Sequence, residues 1–134
     1  MTAVARLVTW VDTYDDGSDP HRMSVSARLD AELTDGRSVV LLDDRGWSGS
    51  LNRTSEAIPD VWSGTSVEEI EREARFVVGP DEPLEGHSQE DMEAGHWDFL
   101  SDKLRRQGVV ADPDELRRLP HDVVLSERLR ARVA

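Results

Sequence analysis

The chain has 134 residues and a formal net charge of −12, and it contains no cysteine. This length suits a single domain, and the lack of cysteine excludes disulfides, thiolate metal sites and cysteine nucleophiles. The excess of acids argues against nucleic acid and anionic membranes as partners, because both are bound through clustered Lys and Arg. The chain has no apolar run of the ~20 residues that span a bilayer and no signal-peptide pattern at its N-terminus, so we expect a cytoplasmic protein.

The first part of the chain predicts strands. Residues 3–14 are rich in β-branched and aromatic side chains, which favour a strand. The clearest pattern covers residues 23–33, where every second residue is apolar and the residues between are polar or charged: Met23, Val25, Ala27, Leu29, Ala31 and Leu33. Alternation over eleven residues predicts a strand with one buried and one solvated face.

A hairpin is predicted to join this strand to residues 37–44. Asp35-Gly36 is typical of a two-residue turn, and with these two residues at its centre the predicted pairs are Leu33–Ser38, Ala31–Val40 and Leu29–Leu42. Val40 and Leu42 then join the buried face, while Val39 and Leu41 lie on the opposite one. Residues 45–64 are expected to be irregular, with a short fourth strand beginning near Trp47.

The second half of the chain predicts helices. Thr65 and Ser66 are alternative caps for a helix that ends at Gly79-Pro80, and Ser88 caps the next one, which ends near Gly108. Asp112-Pro113 begins a short third helix, and Asp122 is expected to cap a last one carrying Leu125, Leu129 and Val133. Glu68–Arg72 and Glu71–Arg75 are spaced for ion pairs along the first helix.

Strands followed by helices predict an α+β fold in a single domain over residues 1–134. We expect an antiparallel β-meander of three or four strands, packed on one face against three or four C-terminal helices. Each half alone would bury too little surface to be stable.

The charge is unevenly distributed. Residues 65–102 hold 12 acids and 2 bases, whereas residues 103–134 hold 5 acids and 8 bases. Ion pairs between the two helical segments explain part of this pattern. The alternative is that the acidic middle segment is a docking face for a basic partner, since such a field steers association.

Catalytic and metal-binding patterns are weak. The oxygen-rich residues 12–19 lack the ligand spacing of a calcium loop, and Gly46-Trp-Ser48-Gly-Ser50 lacks the helix that follows a nucleophile elbow. The four histidines have no metal-binding spacing, and Asp43-Asp44 are adjacent strand residues that point to opposite faces. We therefore expect no catalytic residue, no metal and no cofactor.

The functional prediction is based on the aromatic residues, because Trp is enriched at the binding interfaces of proteins. We predict a non-enzymatic, acidic interaction module that docks a basic protein, as an inhibitor, an immunity- or antitoxin-like protein, an adaptor or a regulator. Its binding residues are expected among four aromatic and three acidic side chains: Trp10, Tyr14, Trp47, Trp62, Glu82, Glu85 and Glu90. The alternative is a small ligand-binding protein or enzyme with a pocket between the sheet and residues 45–64. The sequence does not predict an oligomeric state.

Overall fold

The computed structural model describes residues 2–13, 22–50, 65–81, 83 and 85–133. In chain order its elements are β1 (Val4–Thr13), β2 (Arg22–Leu33), β3 (Ser38–Ser50), α1 (Val67–Val77), α2 (Gln89–Arg106), α3 (Pro113–Arg118), β4 (His121–Leu125) and α4 (Glu127–Val133). The strands form one mostly antiparallel sheet in the order β3-β2-β1-β4. The predicted α+β class is confirmed.

The alternation in residues 23–33 predicted the buried face of β2 correctly. All six apolar residues of the pattern are buried, and β2 lies between β1 and β3. We call this side of the sheet the covered face; β1 adds Leu7, Thr9 and Val11 to it, because these pair with the buried positions of β2. The opposite side, which includes Trp10 and Arg28, is called the open face.

The hairpin turn has three residues, so the predicted two-residue turn is wrong. The backbone N–H of Leu33 donates to the carbonyl of Arg37 at 2.8 Å, leaving Thr34, Asp35 and Gly36 in the loop. Gly36 has a φ of 90°, which favours glycine, and this geometry fits a type I turn followed by a bulge. Next to the turn, Ala31 therefore pairs with Val39 instead of Val40.

Irregularities in the β2–β3 pairing then change which residues of β3 are buried. Leu29 pairs with Leu42 as predicted, but the register shifts on both sides of this pair. As a result both Leu41 and Leu42 are buried and Val40 is exposed, whereas simple alternation placed Val40 inside and Leu41 on the other face. A bulge inserts an extra residue, so the inward and outward positions beyond it are exchanged.

The first three helices begin where their caps predicted. Ser66 accepts a hydrogen bond from the Glu69 N–H, and Ser88 forms a capping box with Asp91. Asp112 caps α3 with Pro113 at its first helical position. None of the ion pairs between described residues joins Glu68 to Arg72 or Glu71 to Arg75, so these two predicted pairs are not formed.

Residues 121–125 form a strand, where the sequence predicted the start of the last helix. β4 pairs in parallel with β1, with His121 opposite Leu7 and Leu125 opposite Val11. The helix begins only at Glu127, after the Ser126 hydroxyl accepts the Leu129 N–H at 3.2 Å. β3 continues as a strand to Ser50, so the irregular segment and the fourth strand expected near Trp47 are not observed there, and residues 51–64 lie outside the described part.

In the described part of the chain, the core consists of two apolar clusters on the covered face. The larger one joins β1–β3 to Leu100 and Leu104 of α2 and Leu116 of α3. The smaller one joins the other end of the sheet to Ile70 of α1 and Leu129 of α4. Trp47 packs against both clusters.

Candidate functional site

Trp47 lies on the covered face of β3, opposite Val25, where α1 crosses the sheet. It is partly buried, and its accessible part lines a cavity of about 190 Å³ together with Met23, Thr65, Glu69, Ile70 and Glu73. We call this the Trp47 cavity. Its floor is apolar and its two charged walls are both carboxylates.

The two glutamates of the Trp47 cavity are one helical turn apart on α1, so their side chains lie on the same side of the helix. Both are exposed, and neither forms an ion pair with any residue that the structure describes. Elsewhere in the acidic segment some charges are balanced: Asp102 pairs with Arg106 at 2.9 Å and Glu93 with Arg117 at 3.0 Å. The ion pairs expected between the acidic and basic segments therefore form at α2 and leave α1 negative.

A second tryptophan lies on the other side of the sheet. Trp10 is 41% exposed and lines an open-face cleft of about 600 Å³ together with Asp12, Arg28, Asp43 and Val124. Because Trp10 and Trp47 are on opposite faces, one partner surface cannot contact both without wrapping around the sheet edge. They belong to separate candidate sites.

Asp12, the acid closest to Trp10 in the chain, is held by structural contacts. Its carboxylate accepts hydrogen bonds from Arg128 Nε at 2.6 Å, from Arg128 Nη2 at 2.5 Å and from Ser126 Oγ at 2.6 Å. The Arg128 hydrogen bonds hold the pKa of this carboxyl far below its usual range. Asp12 is therefore a fixed anion that ties α4 to β1, and it is poorly suited to accept a proton in catalysis.

One hydroxyl–imidazole contact has the geometry of an activated nucleophile. Thr9 Oγ1 lies 2.6 Å from His121 Nε2, but Thr9 is fully buried on the covered face. A substrate cannot reach this hydroxyl, so the contact is structural. Burial, followed by the nearby Arg75 charge, lowers the pKa of His121, which keeps the imidazole neutral in the folded protein.

The other candidate residues from the sequence are dispersed. Glu85 and Glu90 are exposed near the start of α2 and do not line the Trp47 cavity. Tyr14, Trp62 and Glu82 lie outside the described residues. Glu69 and Glu73 were not among the predicted site residues. The sequence signal for them is their i,i+4 spacing directly beside the buried positions Ile70 and Ala74.

Metal and membrane sites are not evident in the described part of the chain. It contains no group of three or more His, Asp or Glu side chains placed to hold a metal ion, and none of its helices has the length and apolarity needed to cross a bilayer. No protein-family model, curated protein or solved structure matches this chain.

Proposed function

We propose that this chain is a non-enzymatic interaction module that docks a protein with a basic surface, and that the Trp47 cavity accepts a Lys or Arg side chain of that partner. The observation that supports the proposal is the combination of an accessible indole with two carboxylates that have no described ion-pair partner. Inhibitors, immunity- or antitoxin-like proteins, adaptors and regulators are the classes to which such a module would belong.

The chemistry of the Trp47 cavity suits a cation. A guanidinium or ammonium group on an indole face gains about 0.5–2 kcal/mol, depending on how far it is desolvated. The two carboxylates in the cavity wall add charge-assisted hydrogen bonds, which are about twice as strong as neutral ones. An anion would meet Glu69 and Glu73 without a compensating cation, so the same geometry disfavours acidic partners.

The overall charge supports the same conclusion at longer range. With a net charge of −12, the chain attracts basic proteins and repels nucleic acid. This attraction extends about 10 Å at 0.1 M salt. Salt should therefore slow association, while dissociation depends more on the contacts in the Trp47 cavity.

The test compares an octa-arginine peptide with an octa-citrulline peptide, which has nearly the same shape but no charge. Binding is followed at low salt by NMR, through the tryptophan indole N–H signals, with the Trp47 signal assigned from Trp47→Phe. We expect the arginine peptide to shift the Trp47 signal and the citrulline peptide to have no effect.

Matched variants separate a specific site from a general negative field. The double variant Glu69→Gln with Glu73→Gln removes both negative charges from the walls of the Trp47 cavity. The control, Glu68→Gln with Glu71→Gln, removes the same amount of charge from the same helix outside the cavity. We expect the first pair to weaken arginine-peptide binding roughly 5- to 20-fold and the second by less than about 2-fold, on the scale of cation–π and surface ion-pair energies. Equal losses in both pairs would contradict a cation site at Trp47.

The second candidate function, binding of a small ligand, is favoured by the open-face cleft at Trp10. Its volume of about 600 Å³ lies in the range of ligand sites, and the exposed indole offers a stacking surface. Of the pocket predicted between the sheet and residues 45–64, only the β3 part is described. A fragment screen followed by NMR distinguishes the two candidates, because ligand binding here shifts the Trp10 indole signal and leaves that of Trp47 unchanged.

A further inference from the structure

The open-face cleft lies where bulky side chains of the open face stand beside short ones. Trp10 pairs with Arg28 on one side and with Val124 on the other, so three bulky side chains form a row across the sheet. Two positions away along the chain from this row are Ser26 and Ser126, whose side chains are short. All five residues line the cleft of about 600 Å³. The Trp10 indole, which is 41% exposed, therefore forms a wall with free space beside it.

Two of the charged side chains in the open-face cleft are neutralised by partners. Asp12 is paired with Arg128. The Arg28 guanidinium donates from Nε and Nη2 to the two carboxylate oxygens of Asp30 at 3.0 and 3.1 Å, and Asp30 is only 3% exposed. The charges cancel within each pair, so neither Asp12 nor Arg28 determines which sign of charge the cleft attracts.

Two further carboxylates in the wall of the cleft are without a partner among the described residues. Asp43 and Glu127 are both exposed and both line the cleft. Neither forms an ion pair or a hydrogen bond within the described ranges of the chain. The cleft therefore keeps two uncompensated negative charges, which attract a cation and repel an anion.

The two unpaired carboxylates lie on opposite sides of the cleft. Asp43 is on β3, in the irregular stretch opposite Arg28, and Glu127 directly follows β4. β3 and β4 are the outer strands of the described sheet, and their three strand spacings of about 4.8 Å place the two backbones roughly 14 Å apart. One ammonium group cannot contact both carboxylates over this distance. Two ammonium groups can, because charge-assisted hydrogen bonds of about 2.8 Å at each end leave their nitrogens roughly 8–9 Å apart.

The Trp10 indole lies between the two unpaired carboxylates, since β1 is an inner strand of the sheet. Its accessible face suits the flat, apolar middle of a ligand, because aromatic rings stack on indole. Val124 extends this apolar surface toward Glu127. A ligand that fits the cleft therefore has a positive group at each end and an apolar ring between them.

We propose that the open-face cleft binds an elongated organic dication, with one positive nitrogen at Asp43, the other at Glu127, and an apolar middle stacked on Trp10. This inference rests on the small-ligand function proposed for the same cleft, and it names the class of ligand. It does not depend on the docking of a basic protein at the Trp47 cavity.

The probe is 1,4-bis(aminomethyl)benzene, which carries an ammonium group at each end of a benzene ring. The matched control is 4-ethylbenzylamine, in which a methyl group replaces one ammonium group, so the shape is kept and one charge is removed. Binding is followed at low salt by NMR through the Trp10 indole N–H signal, assigned from Trp10→Phe. For about ten non-hydrogen atoms at typical efficiencies, we expect a Kd of about 1 mM for the diamine. The monoamine should bind roughly 5-fold more weakly, on the scale of one surface ion pair.

Two results would overturn the proposal. The first is no shift of the Trp10 signal at about ten times the expected Kd of the diamine, including the case in which only the Trp47 signal shifts. The second is equal affinity for the diamine and the monoamine. If neutral or anionic fragments shift the Trp10 signal and the diamine does not, the cleft is a ligand site for another class of molecule. If no fragment shifts it, the small-ligand function fails as well.

Matched variants test whether both unpaired carboxylates hold the diamine. Asp43→Asn and Glu127→Gln each remove one of the two uncompensated charges from the cleft. The control, Glu85→Gln with Glu115→Gln, removes two charges from exposed positions outside the cleft. Circular dichroism confirms that each variant is folded.

We expect either single variant to weaken diamine binding about 5-fold, to the affinity of the monoamine for the wild type. Asp43→Asn with Glu127→Gln should weaken it at least ~10-fold, and the control by less than about 2-fold, because solvent and salt screen charges outside the cleft. If the control loses as much affinity as the double variant in the cleft, the diamine responds only to the general negative field and the proposal fails.

Discussion

The side chains on the two faces of the sheet interact in different ways, although residues of the two faces alternate along the same strands. On the covered face, β1 and β2 present apolar side chains to helices, and stability depends on volume and packing. On the open face the neighbouring residues form ion pairs, such as Arg6 with Glu32 at 2.5 Å and Arg28 with Asp30 at 3.0 Å. The open face is therefore the more exposed of the two, although Val8 and Asp30 on it are buried, and it carries the cleft of about 600 Å³ beside Trp10.

The largest expected effect concerns Leu29, which is 1% exposed on the covered face. Leu29→Ala should lower the free energy of unfolding by about 2–5 kcal/mol, because it leaves a cavity in the core. Val40→Ala, at a 46% exposed position of β3 on the open face, should cost less than about 1 kcal/mol. Urea unfolding measures both, and equal midpoints for the two variants would show that the faces are assigned wrongly.

The difference between the two faces would be smaller if some open-face positions were also sensitive to side-chain size. Gly46 is such a position. A Cβ at Gly46 would lie 2.3 Å from the carbonyl oxygen of Val25, so Gly46→Ala must push β2 and β3 apart. We expect a loss of about 1–3 kcal/mol, as for overpacked cores. The control is Gly49→Ala in the same strand, where a Cβ meets nothing within 4 Å and the free energy of unfolding should not fall.

Asp12 tests how much an open-face ion pair contributes. Its side chain is 37% exposed, so solvent screening limits the loss on Asp12→Asn to about 1 kcal/mol at pH 7. Because folding lowers the pKa of this carboxyl, its contribution is present above the unfolded pKa of about 4 and is lost as the pH falls through the lower, folded value. Urea midpoints of the variant and the wild type should therefore converge as the pH falls from 7 toward 2; a constant difference would contradict the ion-pair account.

The smallest expected effect is the pH dependence of the free energy of unfolding that His96 and His121 cause. Burial is the main cause of the lowered pKa of each, so the folded state favours the neutral imidazole. The unfolded chain then binds more protons below its pKa of about 6.5, and stability falls from there until the folded pKa is reached. Urea midpoints between pH 8 and 5 should show a shallower slope in His96→Phe than in the wild type; an unchanged slope would mean that His96 stays exposed.

The sequence predicted the covered face better than any other part of the fold. The alternation in residues 23–33, the caps Ser66, Ser88 and Asp112, and the α+β class were all correct. These features depend on residues within about four positions of each other in the sequence, or on apolar residues that repeat at a regular spacing. The details of β3 were missed because bulges change register without a clear sequence signal, and an Asp-Gly pair fits both a two- and a three-residue turn.

β4 was missed for a different reason. His121–Leu125 is too short to distinguish a strand from the first turn of a helix, and its only described strand partner, β1, is distant in sequence. The charged residues of the Trp47 cavity were missed for the same reason, because the cavity is formed by elements that are distant in sequence. Trp47 was predicted as a binding residue, but the cavity walls Glu69 and Glu73 come from another element, and only the packing of α1 on the sheet brings them together.

The parallel pairing of β1 with β4 also affects the order of folding. Thr9 and His121 are 112 residues apart, so at ordinary rates of synthesis the second edge of β1 stays unpaired for roughly 6–22 s after it has been made. During that interval β1 and β2 can already form a hairpin with a bare edge, which is the kind of surface that recruits other strands or a chaperone. Contacts at such long separation also slow refolding. The arrival of β4 is therefore the step that pairs the second edge of β1 and completes the four-stranded sheet.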